Sequence, residues 1–398
     1  MIDMHEATRL TREGRLIEAM ALLQGAPSRE PSSAAYREGP QGYARGATTI
    51  DMQPPAAGGP WTASGANRSN DARATRAPFP KTVAGLDGVL RSPLARATMG
   101  AANQPARAPL VIGARFEDRR FANSVGERHY KLYVPSGFTG DALPLVVMLH
   151  GCTQSPDDFA AGTRMNAVAE EGLFLVAYPA QAQSANAQKC WNWFNPNDQR
   201  RDQGEPALIA GITRQIMREF PVDESRVYVA GLSAGGAAAA VMGSTYPDLF
   251  AAVGVHSGLA CGSASDMPSA FAAMRQGGKG NTTGKRSLIP TIVFHGDSDT
   301  TVSAVNGDQV ITQSKAGAKL RAGVTNSVAA GGVAYTRTIY SDREDTPVLE
   351  QWVLHGAGHA WSGGSPAGSY TEPRGPDASR EMVRFFRRHR IHPTAGQD

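Results

Sequence analysis

The sequence predicts a doubly wound α/β domain, a mostly parallel sheet with helices on both faces. Two observations carry that expectation. From about residue 109 onward, short continuous apolar runs rich in Val and Ile recur, and stretches of helical character separate them. The runs fall at residues 145–149, 173–177, 227–230, 252–255 and 292–294. Central parallel strands are covered on both faces, so they read as unbroken apolar runs rather than as alternation. An earlier strand is expected at residues 131–134 and a late one at 348–353. Helices are expected at residues 155–171, 205–219 and 234–246, with a closing helix at 377–389 whose start is marked by Pro376 and Asp377. Right-handed crossovers follow from such an alternation.

The chain as a whole divides near residue 109. Residues 1–25 carry a broad apolar stripe of Ala7, Leu10, Leu16, Ala19, Met20, Leu22 and Leu23, interrupted at Gly14. A short helical hairpin or a docking helix fits this pattern. Residues 26–108 are dominated by Ala, Gly, Pro, Ser, Thr and Arg, with few large apolar side chains. Such a stretch buries too little apolar surface to offset its ordering entropy and is expected to be a disordered linker. Residues 109–392 form the expected globular α/β domain, and residues 393–398 a tail.

Hydrophobic residues make up 41% of the 398 and charged residues 19%, enough to fill a core. The formal charge of +4 requires no nucleic-acid partner. No apolar run reaches the ~20 residues of a membrane span. The N-terminus lacks a basic segment followed by an apolar core, so a cytoplasmic location is the default expectation and an extracellular one the alternative. Three cysteines cannot all pair within the chain. Cys190 and Cys261 are compatible with one bridge in an oxidising compartment, or with buried thiols. Arg384, Arg387, Arg388 and Arg390 read as the solvated face of the last helix.

The strongest local signal is Gly231-Leu232-Ser233-Ala234-Gly235, directly after one apolar run and directly before an Ala-rich helix. In that strand–turn–helix context it reads as a nucleophile elbow, in which a tight strained turn lifts the serine hydroxyl above the sheet. A serine hydroxyl needs a base, and the base needs an orienting acid. In this fold both follow the serine, acid before histidine. The segment His295-Gly296-Asp297-Ser298-Asp299 follows the 292–294 run and offers two carboxylates. Motifs of this shape place the acid four residues after the His, which selects Asp299. Asp297 is expected to hold the loop through backbone amides, and His295 to be structural. The segment His355-Gly356-Ala357-Gly358-His359 follows the late strand. His359 is the expected base, and His355 a satisfied buried residue. An oxyanion hole needs two backbone amides. Ala234, just after the nucleophile, and Cys152, in His150-Gly151-Cys152-Thr153-Gln154, are the expected donors. Cys152 itself is a weaker candidate nucleophile, because Ser233 already occupies the elbow.

With these residues in view, the domain resembles the poly(3-hydroxybutyrate) depolymerase family of esterases. The resemblance rests on Leu149–Gln154, on Cys190-Trp191-Asn192-Trp193-Phe194, on the Ser233 elbow and on the Asp299 and His359 loops, and it spans roughly residues 110–390. It implies an α/β-hydrolase fold and hydrolysis of poly(3-hydroxyalkanoates) or short hydroxyacyl esters through an acyl-enzyme, with no metal or organic cofactor. The same family shades into feruloyl and acetylxylan esterases, which are the first alternative. An acyltransferase and a polymer-granule binding protein with a vestigial site are further alternatives. Trp191, Trp193 and Trp361 read equally as an apolar subsite for polyester or as core residues. The N-terminal region is a candidate contact to a granule surface.

Overall fold

The computed structural model describes residues 110–278, 280 and 288–391, and the backbone of two short strands nearer the N-terminus. The chain divides into two units, Met1–Gly85 and Leu86–Asp398. In the first, the strands Met52–Gln53 and Thr62–Ala63 pair antiparallel. Apart from that pair, the expected helical segment 1–25 and linker 26–108 lie outside the described residues, as does the tail 393–398. Among the described residues no helix is long and apolar enough to cross a membrane.

The second unit is built on a ten-stranded sheet. In chain order its strands are β1 (Arg115–Asn123), β2 (Gly126–Val134), β3 (Leu143–Leu149), β4 (Leu175–Pro179), β5 (Val222–Leu232), β6 (Ala252–His256), β7 (Thr291–Gly296), β8 (Arg321–Val328), β9 (Ala334–Ser341) and β10 (Pro347–Leu354). Their order across the sheet is β8-β9-β10-β7-β6-β5-β3-β4-β2-β1. The strands from β10 to β4 run parallel, and an antiparallel hairpin closes each edge. The helices are α1 (Pro156–Thr163), α2 (Met165–Gly172), α3 (Gly204–Glu219), α4 (Ala234–Thr245), α5 (Met267–Gln276), α6 (Val305–Lys315) and α7 (Ala378–Phe386).

Successive residues of β3 show why the apolar runs are unbroken. Leu145, Val147 and Leu149 pack into one core layer, and Val146 and Met148 into the other. Helices cover both faces, so neither set is free to be polar. The expected helix at 155–171 is two helices. Arg164 breaks it with a left-handed backbone (φ 56°), and its guanidinium bonds Gly363 O and Asp377. The arginines expected to form a solvated face on α7 are partly engaged. Arg384 donates to Glu350, whose side chain is fully buried, and Arg387 donates to the Gly172 carbonyl. A carboxylate enclosed by β10 and α7 needs that cation, which draws Arg384 inward.

Candidate active site

The strand register brings the four expected loops to one edge of the sheet. Leu149 of β3 is level with Gly231 of β5, Leu232 with His256 of β6, and His256 with Phe294 of β7, which in turn pairs Trp352 of β10. All these strands are parallel, so their C-terminal ends and the loops that follow them share that edge.

Ser233 joins β5 to α4 with φ 57° and ψ −120°, a region that costs a non-glycine residue free energy. Its amide donates to His256 O at 2.9 Å. The turn can close this tightly because its flanking glycines have no side chain. A Cβ at Gly235 would collide with the Leu149 carbonyl, and one at Gly231 with the Gly235 backbone. The same close approach sets the first turn of α4 beside Leu149 and His150, where the Cys152 loop begins. Among the described residues neither the Cys152 nor the Ala234 amide donates to a protein acceptor. Both remain available to a ligand.

Asp299 and His359 meet directly, with His359 Nδ1 donating to Asp299 Oδ2 at 2.7 Å. A carboxylate only accepts, so this bond fixes the proton on Nδ1 and leaves Nε2 as the basic nitrogen. Asp299 Oδ1 accepts from the Thr301 and Val302 amides at 2.9 and 2.8 Å, and His295 Nε2 lies 3.5 Å from Oδ2. Burial raises the Asp299 carboxyl, but His295, His359 and the Val302 amide together outweigh it and hold the group well below the usual carboxylate range. Asp299 stays ionised throughout the neutral range.

His355 departs from expectation. It is exposed rather than buried, yet both nitrogens are satisfied, by Asp297 Oδ2 at 2.8 Å and Thr336 Oγ1 at 2.9 Å. Asp297 also accepts from the Gly356 amide at 2.7 Å, so it ties the acid loop to the base loop.

One supporting residue was missed in the sequence. His256 ends β6, is fully buried, and holds both halves of the site. Its carbonyl receives the Ser233 amide, and its Nε2 accepts from the Ser362 amide at 3.0 Å, three residues past His359. Its ring stacks between Phe294 and Trp361. Burial, with the nearby charges of His295 and His359, pushes it down to about 3, so it stays neutral. A polar residue at the end of a buried run was the available signal.

The tryptophans are corrected by their burial. Trp191 and Trp361 are 0% and 1% exposed and Trp193 is 6% exposed, so none offers surface to a polymer chain. Trp191 supports the site from below instead, through Nε1 donating to His150 O at 3.1 Å. Trp361 Nε1 donates to Ser379 Oγ on α7. The cysteine pairing is corrected too. Cys190 bridges Cys152 and not Cys261, because the 190 loop folds against the Cys152 loop. Thr153 N donates to Gln188 O at 2.6 Å across the same contact. Cys261 is buried elsewhere, beside Gln313 of α6.

The 190 loop is anchored to the sheet by Glu205 at the start of α3. Its carboxylate accepts from the Asn192 amide and side chain, each at 2.8 Å, and from Gln181 Nε2. The Gln181 amide donates in turn to His150 Nε2 at 3.0 Å. Burial, with the charge of Asp198, raises Glu205 from its ordinary 4.5 to about 7. The folded chain therefore keeps a proton that the unfolded chain releases. Between about 4.5 and 7 the native state binds more protons, so this group makes stability fall as pH rises through that window and then level off. The expected contribution is on the order of 3 kcal/mol between pH 4.5 and 8. Urea unfolding of Glu205→Gln should show lower stability overall but a flatter dependence from pH 5 to 8. A slope equal to that of the wild type would assign the effect to another group.

The comparisons with known proteins agree with this geometry. The model of the family described as esterase PHB depolymerase matches residues 128–332, just over half of the chain. The chain belongs to that family. Poly(3-hydroxyalkanoate) depolymerase C of Paucimonas lemoignei is 35% identical over 253 residues, covering 60% of this chain and 60% of that protein. Feruloyl esterase B of Thermothelomyces thermophilus is 28% identical over 250 residues, covering 57% of the chain and 82% of the relative. Among solved structures, the acetyl xylan esterase from Aspergillus awamori superposes with a TM-score of 0.52 at 21% identity, over 68% of this chain and 98% of that one, a likeness of fold. The alignments with the curated depolymerases span 48–60% of those proteins' length.

Proposed function

We propose that the chain is a serine esterase that hydrolyses poly(3-hydroxybutyrate)-type polyesters or their oligomers. The observation that carries the reading is the Asp299–His359 pair, set on the same sheet edge as the strained Ser233 turn and the two open amides. In the first half-reaction Ser233 Oγ attacks the ester carbonyl carbon while His359 Nε2 takes its proton. The Cys152 and Ala234 amides hold the developing oxyanion, a contribution of about 3–4 kcal/mol per donor in comparable sites. The C–O bond to the alcohol then breaks, and His359 returns the proton to the leaving oxygen. Water repeats the sequence on the acyl-enzyme and releases the acid.

The family membership and the 35% identity to a polyhydroxyalkanoate depolymerase support the polyester substrate. The test is release of soluble 3-hydroxybutyrate from amorphous polymer granules, with Ser233→Ala as the control. Release that disappears in the variant supports the reading. A Ser233-dependent cleavage of simple butyrate esters without release would remove the polymer and keep the mechanism. The relative that is a feruloyl esterase favours the second reading, a carboxylesterase for plant-polysaccharide esters. Preference for methyl ferulate over a hydroxybutyrate trimer would select it. The Cys152–Cys190 bridge supports the extracellular location over the cytoplasmic one, since such bridges persist in oxidising compartments. Granule contact through residues 1–108 is tested by granule co-sedimentation of the chain with and without them.

A further inference from the structure

With Trp191, Trp193 and Trp361 enclosed, the proposed site needs another apolar contact for its substrate, and one ring is placed to supply it. Among the described residues, Tyr370 is the one Phe, Tyr or Trp side chain that is exposed, at 48%. Every other Phe, Tyr and Trp ring among the described residues is buried or half-buried.

Tyr370 sits between two parts of the site. Its carbonyl accepts from the Trp361 amide at 2.7 Å, two residues beyond His359, in the short parallel pair of Trp361–Ser362 with Thr371–Glu372. Its hydroxyl lies 3.2 Å from Thr153 Oγ1, next to Cys152. The ring therefore spans the gap from the base loop to the oxyanion loop.

That placement is held against local preference. Tyr370 has φ 53° and Thr153 has φ 66°, both in the left-handed region that disfavours non-glycine residues. Strain of this kind persists only where surrounding bonds over-determine the backbone. Here the Ser369 amide donates to Asp158 Oδ1 at 2.9 Å, and Gln154 Nε2 donates to Ser369 O at 3.1 Å. Thr153 is fixed by its amide bond to Gln188 O and by its hydroxyl on Cys152 O at 2.6 Å. An exposed ring gains nothing from core burial, so packing does not account for a strained backbone that holds it in solvent.

We infer that Tyr370 is a substrate-contact residue, whose ring forms the aromatic wall against which a hydroxyacyl chain lies as its ester reaches Ser233. The inference rests on the polyester reading above. A poly(3-hydroxyalkanoate) segment alternates ester groups with apolar methine and methyl carbons. An aromatic face packs the carbons, and the phenol at its edge stays hydrogen-bonded to Thr153. A small ester occupies only the reacting centre and does not reach the wall.

The experiment compares wild type, Tyr370→Asn and Tyr370→Phe on a 3-hydroxybutyrate trimer and on methyl butyrate. Asn removes the ring but tolerates a left-handed backbone, so it separates ring loss from backbone strain. Thermal unfolding of each variant confirms that it folds. The expected result for Tyr370→Asn is a roughly tenfold fall in the ratio of kcat/KM for the trimer to that for methyl butyrate, arising in KM, the size expected for one lost apolar ring contact. Tyr370→Phe should keep the wild-type ratio. An unchanged ratio in Tyr370→Asn, with the wild type active on the trimer, would overturn the inference alone. Equal kcat losses on both esters in both variants would also overturn it, because the hydroxyl would then act by positioning Thr153. A wild type that cleaves methyl butyrate but not the trimer would overturn the polyester reading and this inference with it.

Discussion

Replacing Ser233 by alanine is expected to lower kcat on every accepted ester by about 10⁶, to a residue set by the remaining amides and binding contacts. The loss is that large because the serine and histidine of such a site act as one unit. Without the hydroxyl, His359 has no proton to take and Asp299 no imidazolium to stabilise. The structure makes the experiment clean. Alanine keeps the Cβ, the backbone turn at φ 57° and the amide bond to His256 O, so the variant should unfold within a few degrees of the wild type. The measurement is kcat on a soluble butyrate ester, with fluorophosphonate labelling of both proteins. Labelling that persists in the variant would place the nucleophile elsewhere, and a fall of less than a hundredfold would sink the acyl-enzyme mechanism.

The parts of the fold that were legible in the sequence are those whose burial is uniform. Strands β3 to β7 are covered on both faces, so each left an apolar run that no helix period explains. The edge hairpin was not legible. All eight residues of β8 are exposed and all eight of β9 half-buried, so neither carries an alternation of burial for a period-two pattern to report. Strand β1 and helices α5 and α6 were missed for a related reason. In α6 the buried set is Asn306, Gly307, Val310 and Ile311, so only half of the buried face is apolar and the helical period is blurred.

The site divides in the same way. The order of Ser233, Asp299 and His359 is a property of the chain, and chemistry alone selects those residue types. The support around them is a property of packing. A tryptophan in a loop reads the same whether it faces solvent or, like Trp191, is buried with its Nε1 on His150 O. The partner of Cys190 depends on which loop folds against it. Tyr370 stands in a Gly, Ser and Pro stretch with no period at all, and only its exposure and its bond to Thr153 mark it.

The largest remaining effect is expected at the acid. Asp299→Asn should reduce kcat by about 10⁴ while changing KM by no more than a few-fold. Asparagine fills the same space, and its Oδ1 can keep the Thr301 and Val302 amide bonds. Its NH₂ then faces His359 Nδ1, where the carboxylate accepted at 2.7 Å. A donor there forces Nδ1 to accept, so the proton moves to Nε2 and the base is lost although every atom stays in place. Asp297→Asn is the control, because Asp297 serves His355 and Gly356 rather than His359. It should cost less than tenfold, and a loss equal to that at Asp299 would sink the choice between the two carboxylates. The same pair of proteins tests the electrostatics. The Asp299 pKa is depressed in the folded chain, so its contribution to stability is present above the ordinary value of 3.8 and is lost as pH falls through the folded value. The wild-type Tm should therefore drop more steeply than that of Asp299→Asn between pH 5 and 2.5. Parallel curves would mean that the hydrogen bonds to Asp299 do not favour its ionised form, and the orienting role of that carboxylate would fall with them.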